Sequence, residues 1–244
     1  MRALDPAAYV YTPYALPPAL TAIALVFFAS LVLKRGASRL NRSFAVMSAA
    51  AVVWMVAFTM MYLSRDASTA LFWAKSAYLG VPFIAPAVYH FTVEMLRIYE
   101  RRRVALALAW CGASISALLV LTTDVIVEDV TRYEWGRYPR YSIPFSFVFL
   151  LFFFGYLAAA CVEFAVALRS AQGVERKRIR LVMIGLAVAY AGCVDYLPKY
   201  GFDIYPFGYL PILGFMVIVA HTMRVYELAA ITPSFAANEI VGTM

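Results

Sequence analysis

Long apolar segments alternate with short polar connections along almost the whole chain. Seven of these segments approach or reach the roughly 20 apolar residues that a helix needs to span a bilayer. The pattern therefore predicts an all-α, polytopic membrane protein built as a seven-transmembrane-helix bundle. We place the segments at residues 15–33, 43–63, 70–96, 104–123, 143–168, 179–197 and 205–223.

Basic residues are unevenly divided between the two sides of this bundle. The connections after the first, third and fifth segments, together with Arg224, hold 14 of the 21 Lys and Arg residues. The other side holds the remaining seven, Lys199 among them, mixed with eight acidic residues. Because cytoplasmic loops carry the excess of Lys and Arg, we expect the N-terminus outside and the C-terminus in the cytoplasm. The chain is thus predicted to be a multi-pass protein of the cell (inner) membrane.

The composition agrees with a membrane protein. Hydrophobic residues make up 64% of the chain and charged residues only 14%, whereas about a quarter of a soluble domain is charged. The net charge of +7 lies in clusters between apolar runs, which indicates membrane topology and not a nucleic-acid partner. The three cysteines lie inside apolar runs without metal-ligand spacing, so we interpret Cys111, Cys161 and Cys193 as buried small hydrophobes.

The third apolar segment carries more polar and helix-bending residues than a structural membrane helix needs. Lys75 lies near its outer boundary, Pro82 and Pro86 are four residues apart, and His90 and Glu94 have helical i,i+4 spacing. Ionisable groups and freed carbonyls inside hydrocarbon must be satisfied by neighbouring helices or by water. The segment is therefore predicted to be bent and to face the bundle. The prolines either only shape this helix or provide a hinge that moves during signalling.

A set of ionisable residues is expected in the inner third of the bundle. A rise of about 1.5 Å per residue places His90 and Glu163 at matching depth, about 9–10 Å from their flanking arginines, and Glu94 and His221 about 4–5 Å from theirs. Three interpretations remain open: a hydrogen-bonded lock between helices, a switch that passes a signal towards Arg224, and a metal site. No cofactor is predicted, and the metal interpretation lacks a ligand motif. The residues are His90, Glu94, Glu163 and His221.

The outer half of the bundle is predicted to contain a small-molecule pocket. Trp54, Phe58 and Tyr62 share one helix face, and Lys75 could reach Asp195 or Asp203. An apolar pocket with a few converging polar groups is the usual form of a ligand site, whereas an interfacial aromatic belt is the alternative. The outer connection 124–142 is either a lid over this pocket or a solvated hairpin. The predicted pocket residues are Trp54, Phe58, Tyr62, Lys75, Tyr78, Tyr190, Asp195 and Tyr209.

The residues after Arg224 suggest a connection to another domain. Thr232 followed by Pro233 is a typical helix start, and this helix is only about three turns long at Met244. We therefore divide the chain into a seven-helix sensor domain, 1–224, and a cytoplasmic exit linker, 225–244. The linker is expected to lead into an effector domain beyond Met244.

Three blocks of the chain resemble a known family. They are FWAKSAYLGVPFIAPAVYHF, VERKRIRLVMIGLAVAYAGCVDYLP and RVYELAAITPSFAANEIVGTM. Together they are similar to the N-terminal seven-helix sensor region of bacterial membrane histidine kinases. The resemblance implies a non-enzymatic signal-input module that is linked in the same polypeptide to a cytoplasmic effector, a histidine kinase or a diguanylate cyclase. It also makes a homodimer the expected functional unit.

Other functions of a seven-helix protein are less compatible with the residues. A retinal-based photoreceptor needs a Schiff-base lysine in the last helix, but residues 204–220 contain none. A small membrane transporter would show internal repeats, and an intramembrane metal-dependent enzyme would show a metal or nucleophile motif; neither pattern is present. The expected function is a receptor module that senses a small molecule, a lipid or the state of the membrane.

Overall fold

The computed structural model describes residues 5–242, with side chains described as far as Val225. Within these residues, six helical spans are long and apolar enough to cross a membrane, and a seventh apolar helix, Tyr209–Val225, is shorter. This confirms the predicted all-α membrane bundle. The helices are α1 (Leu16–Leu33), α2 (Arg39–Leu63), α3 (Ala67–Ser76), α4 (Val81–Met95), α5 (Tyr99–Thr122), α6 (Phe145–Ser170), α7 (Gly173–Tyr190) and α8 (Tyr209–Gly242).

The second and third spans form the centre of the bundle. The helix α2 packs against α1, α3 and α4, while α4 also packs against α5 and α6. The helix α8 packs against both α7 and α1, which closes the bundle on that side. Large apolar side chains on the outward faces remain exposed, as expected of a surface in contact with lipid tails. Examples are Leu20, Leu108, Ile115 and Leu151.

The third span is two helices and not the single bent helix that the sequence predicted. The helix α3 ends at Ser76, a 3-10 turn covers Ala77–Leu79, and α4 begins at Val81. Pro82 lies in the first turn of α4, where its missing N–H leaves no hydrogen bond unmade, and only Pro86 lies inside the helix. At Gly80 the chain passes so close to α2 that an added Cβ would lie 2.3 Å from the Ala50 carbonyl oxygen.

The sixth span also changes its geometry near its end. The helix α7 ends at Tyr190, and two 3-10 segments follow, Ala191–Tyr196 and Pro198–Tyr200. The latter ends at Gly201, whose φ of +93° belongs to the left-handed region that glycine adopts most easily. We name residues 191–200 the 3-10 segment. It carries both Asp195 and Lys199 at one end of the bundle.

The long connection between α5 and α6 folds into an antiparallel hairpin of β1 (Val127–Tyr133) and β2 (Gly136–Tyr141). Its inward side chains are buried: Val127, Val130, Trp135, Tyr138 and Tyr141. The interpretation as a merely solvated hairpin is therefore wrong. A hydrophobic face on a two-stranded hairpin must pack against other elements to be stable, and here it covers the end of the bundle.

All connections on the hairpin side contact one another and form what we call the hairpin end. The Arg65 amide donates to the Ala8 carbonyl (2.9 Å), the Arg137 guanidinium to the Arg65 carbonyl (3.4 Å), and the Tyr133 hydroxyl to the Pro198 carbonyl (2.6 Å). The opposite, arginine end holds the basic connections. The helix start predicted at Thr232 and Pro233 is wrong, because α8 continues without a break from Tyr209 to Gly242.

Candidate functional site

A cavity of about 80 Å³ lies inside the bundle, below the hairpin. Its walls come from α2, α4, α6, α7, the 3-10 segment and α8, so that all but two of the helical spans contribute to it. Most of the surface is apolar, with side chains such as Met47, Ile84 and Phe215. The polar side chains that line it are Trp54, Tyr190, Asp195, Tyr196 and Lys199.

Lys199 is the most unusual residue of this cavity because its side chain is almost completely buried, with 2% of the residue exposed. Its Nζ donates to the Tyr141 hydroxyl (3.1 Å) and lies 4.4 Å and 4.8 Å from the ring centroids of Tyr196 and Tyr141. Aromatic faces stabilise a desolvated ammonium group by cation–π attraction. An ammonium has three donors, and this set uses one in a hydrogen bond, which leaves donor capacity for a ligand.

Asp195 lies one helical turn before Lys199 and is also buried, with 5% of the residue exposed. Its carboxylate accepts a hydrogen bond from the Gly208 amide at 2.7 Å. Gly208 is required here because an added Cβ would lie 2.5 Å from a carboxylate oxygen. Asp195 and Lys199 attract each other electrostatically without a direct ion pair. Each of these two buried ionisable side chains therefore has a polar partner within the chain.

The hairpin is hydrogen-bonded directly to the segment that carries these charges. The Tyr138 hydroxyl donates to the Asp195 carbonyl at 3.0 Å, and the Tyr78 hydroxyl donates to that of Tyr141. Burial raises the pKa of both Tyr138 and Tyr141 well above the ordinary value, so both phenols keep their protons. The hairpin thus acts as a structural cover for the Lys199 site, in agreement with the lid interpretation.

Trp54 supplies an unused hydrogen-bond donor next to the cavity. Its ring is 6% exposed and packs edge-to-face against Phe58 at a centroid distance of 5.6 Å. Its Nε1 atom is buried and has no hydrogen-bond partner among the described residues. A buried donor without a partner is costly, so this position favours an acceptor supplied from outside the chain.

The structure brings together only part of the predicted pocket. Trp54, Tyr190 and Asp195 line the same cavity. Phe58 and Tyr62 lie instead under the hairpin, where Phe58 contacts Tyr138 at 5.3 Å between centroids. The remaining aromatics hold the hairpin end together: Tyr62 packs on Trp135, Tyr78 bonds to Tyr141, and Tyr209 packs on Tyr205.

The predicted partner of Lys75 is wrong. Its Nζ lies 2.5 Å from Asp124 and donates to the Thr123 carbonyl at 2.8 Å, at the end of α5. Asp203, the other predicted partner, accepts instead from the Trp135 indole at 3.1 Å. Lys75 was placed near Asp195 by depth alone, and depth does not determine which neighbour a side chain faces.

Lys199 is the functional candidate that sequence reasoning missed. It was counted with the basic residues of the outer connections because it follows Pro198, close to the end of the sixth span. The available signal was its i,i+4 spacing from Asp195 within an aromatic stretch, YLPKY. Such spacing places two opposite charges on one face of a helical segment.

The four ionisable residues of the inner third do not form one cluster. His90 Nε2 lies 3.6 Å from Glu94 on its own helix, while Glu163 pairs with Arg102 of α5 at 2.5 Å. His221 lines a separate groove at the arginine end together with Arg35 and Arg224. Within the described part of the chain, no three His, Cys, Asp or Glu residues lie close enough to hold a metal ion.

The described residues form six long spans and a seventh shorter helix, which define a multi-pass membrane protein. A mostly apolar cavity with a few buried polar side chains lies under its hairpin. The family model for the N-terminal 7TM region of histidine kinase matches residues 17–233. The chain belongs to this family of sensor input modules, which are themselves non-catalytic. No individually curated protein matches the chain.

Proposed function

We propose that this chain binds a small molecule in the cavity beside Lys199 and transmits the binding event through α8 to a cytoplasmic histidine kinase domain of the same polypeptide. The observation that carries the proposal is the shared wall of the cavity. Ile212, Phe215 and Met216 of α8 line it together with Lys199 and Asp195. The same helix reaches the arginine end at Arg224, so one element contacts the ligand site and leaves the bundle.

The cavity favours a small, mostly apolar ligand that carries a hydrogen-bond acceptor oxygen. Most of its lining is aliphatic or aromatic, and the unpartnered Trp54 indole and the spare donors of Lys199 both require acceptors. Ordinary ligand pockets measure roughly 300–1,000 Å³. A cavity of about 80 Å³ therefore admits a molecule of few atoms unless side chains move apart.

Transmission requires that the ligand bind two arrangements of the bundle with different affinities. In our proposal the occupied cavity keeps the Phe215 face of α8 apart from α2 and α4, and the empty cavity allows it to close. Gly185 supports such a movement, because it lets α7 and α8 approach closely: an added Cβ would lie 3.1 Å from the Phe215 ring. Because the hairpin is hydrogen-bonded to the 3-10 segment, α8 would be the cavity wall that moves when the ligand binds.

The orientation and assembly of the receptor belong to the same proposal. The basic connections of the arginine end support a cytoplasmic location for that end, with the N-terminus and hairpin outside. A homodimer would place two α8 helices side by side. Ligand binding would then change the activity of two paired kinase domains. Pro82, Pro86, His90, Glu94 and the Arg102–Glu163 pair would then fix the packing around α4 against which α8 moves.

Filling the cavity should abolish ligand binding. We expect Ala189→Phe, on the cavity wall, to remove any small molecule retained by the wild-type chain in nanodiscs, as measured by native mass spectrometry and by extraction of the bound compound. Ala187→Phe is the matched control, because Ala187 lies on the same helix, is exposed and does not line the cavity. Equal retention by wild type and by the Ala189→Phe variant would refute the proposed site.

A further inference from the structure

A second groove, which shares no lining residue with the Lys199 cavity, lies between α1 and α8 at the arginine end. Its volume is about 360 Å³, larger than that of the cavity under the hairpin. One wall comes from Phe28, Leu31 and Val32 of α1, and the other includes Val217 and Ala220 of α8. Three basic side chains occur at its cytoplasm-directed end: Arg35, His221 and Arg224.

The two guanidinium groups of this groove are available for an external anion. Neither Arg35 nor Arg224 forms an ion pair within the described residues, and both are exposed. By contrast, Arg102 at the same end is paired with Glu163. Arginine binds phosphate oxygens in a bidentate manner and is less strongly hydrated than lysine, so two unpaired arginines beside one groove favour a phosphate group.

The rest of the groove suits an acyl chain. Leu31 of α1 and Val217 of α8 are 43% and 40% exposed, and both line the groove. An apolar channel within the bilayer that ends at basic side chains near the cytoplasmic surface has the two-part chemistry of an anionic phospholipid. A soluble phosphate compound would use only the basic end.

We propose that the α1–α8 groove binds an anionic phospholipid, with its phosphate between Arg35 and Arg224 and an acyl chain along Leu31 and Val217. This site is separate from the ligand cavity and does not depend on it. Because one lipid contacts both α1 and α8, its presence stabilises one spacing of these helices. Anionic lipid would thereby set the resting position of the helix that leaves the bundle.

The test is a native mass spectrometry titration of the purified chain with dioleoyl phosphatidylglycerol or with dioleoyl phosphatidylcholine. We expect tighter binding of phosphatidylglycerol and a loss of about 25-fold in its affinity for the double variant Arg35→Gln/Arg224→Gln, at about fivefold per arginine. The matched control, Lys34→Gln/Arg169→Gln, removes two charges from the same end but none from the groove, and should change the affinity less than about threefold. Equal losses in both variants, or equal binding of both lipids, would overturn the proposal.

A second variant tests the contact with the acyl chain. It keeps both arginines and does not depend on whether the double arginine variant folds. Val217→Trp fills the groove while keeping both arginines, and we expect it to lower phosphatidylglycerol binding by about tenfold, the loss of about two buried methylene groups. Excess inorganic phosphate should leave phosphatidylglycerol bound. Wild-type affinity of the Val217→Trp variant, or complete displacement of the lipid by phosphate, would contradict the proposed lipid site.

Discussion

Replacing Lys199 with methionine is expected to destabilise the protein by about 3 kcal/mol, because it removes the nearby amine that favours the ionised form of the buried Asp195 side chain. It also removes the donor to Tyr141, through which the hairpin is attached to the 3-10 segment. For a chain of this length the change corresponds to a decrease of about 6–12 °C in melting temperature. Thermal unfolding in detergent, followed by circular dichroism, measures it.

The double variant Lys199→Met/Asp195→Asn distinguishes the charge pair from simple packing. Removing both charges leaves no uncompensated buried ion, so we expect the double variant to recover more than half of the lost stability. Lys177→Met is the matched control at an exposed position and should change the stability by less than about 0.5 kcal/mol. If Lys199→Met were as stable as wild type, the proposed interaction between Lys199 and Asp195 would be wrong.

Replacing Gly80 with alanine is expected to destabilise the bundle by about 2–3 kcal/mol. The added methyl group would lie 2.3 Å from the Ala50 carbonyl oxygen and 3.0 Å from the Trp54 amide nitrogen. Both are backbone atoms of α2, so relief requires that α2 and the third span move apart. Because Trp54 lines the ligand cavity, the same variant should weaken retention of a small molecule.

Gly155 provides the matched control for this substitution. It lies in α6 on an exposed face, and nothing lies within 4 Å of an added Cβ. Ala is the better helix former, so Gly155→Ala should leave the melting temperature unchanged or raise it by the equivalent of up to about 1 kcal/mol. Equal melting temperatures for the two variants would show that α2 and the third span do not pack through Gly80.

The sequence predicts the membrane class and the number of spans because the length and apolarity of each segment are local properties. The break in the third span was only partly predictable. Pro82 indicated a bend, but the position of the break depends on the close approach of Gly80 to α2, which is a tertiary contact. A bilayer span that the sequence predicts as one helix can therefore contain two.

The hairpin shows why the predicted site was incomplete. Which of its residues are buried can be predicted only if its partner surface is known, since a two-stranded hairpin is unstable alone. Once it covers the bundle, the side chains that depth arguments assigned to a pocket, Phe58, Tyr62 and Tyr78, pack against it. Lys199 then becomes buried although it lies near the end of a span.

The inner ionisable residues illustrate the same limit. Depth along each helix places His90 level with Glu163, and His221 level with Glu94, but the rotation of each helix decides the partner. Glu163 faces Arg102 of α5, whereas His221 faces α1. Rotation follows from packing around the whole bundle, which the apolar pattern of a membrane helix encodes weakly because its lipid-facing side is also apolar.

The most direct test of ligand sensing through the Lys199 cavity is a density map of the wild-type chain, purified from its native membranes into nanodiscs. Our account expects density for a small molecule between Lys199, Trp54 and Phe215, with an acceptor atom within hydrogen-bond distance of the Trp54 indole nitrogen. A cavity closed by these side chains, with the Trp54 nitrogen bonded to the protein itself, would contradict ligand sensing at this site.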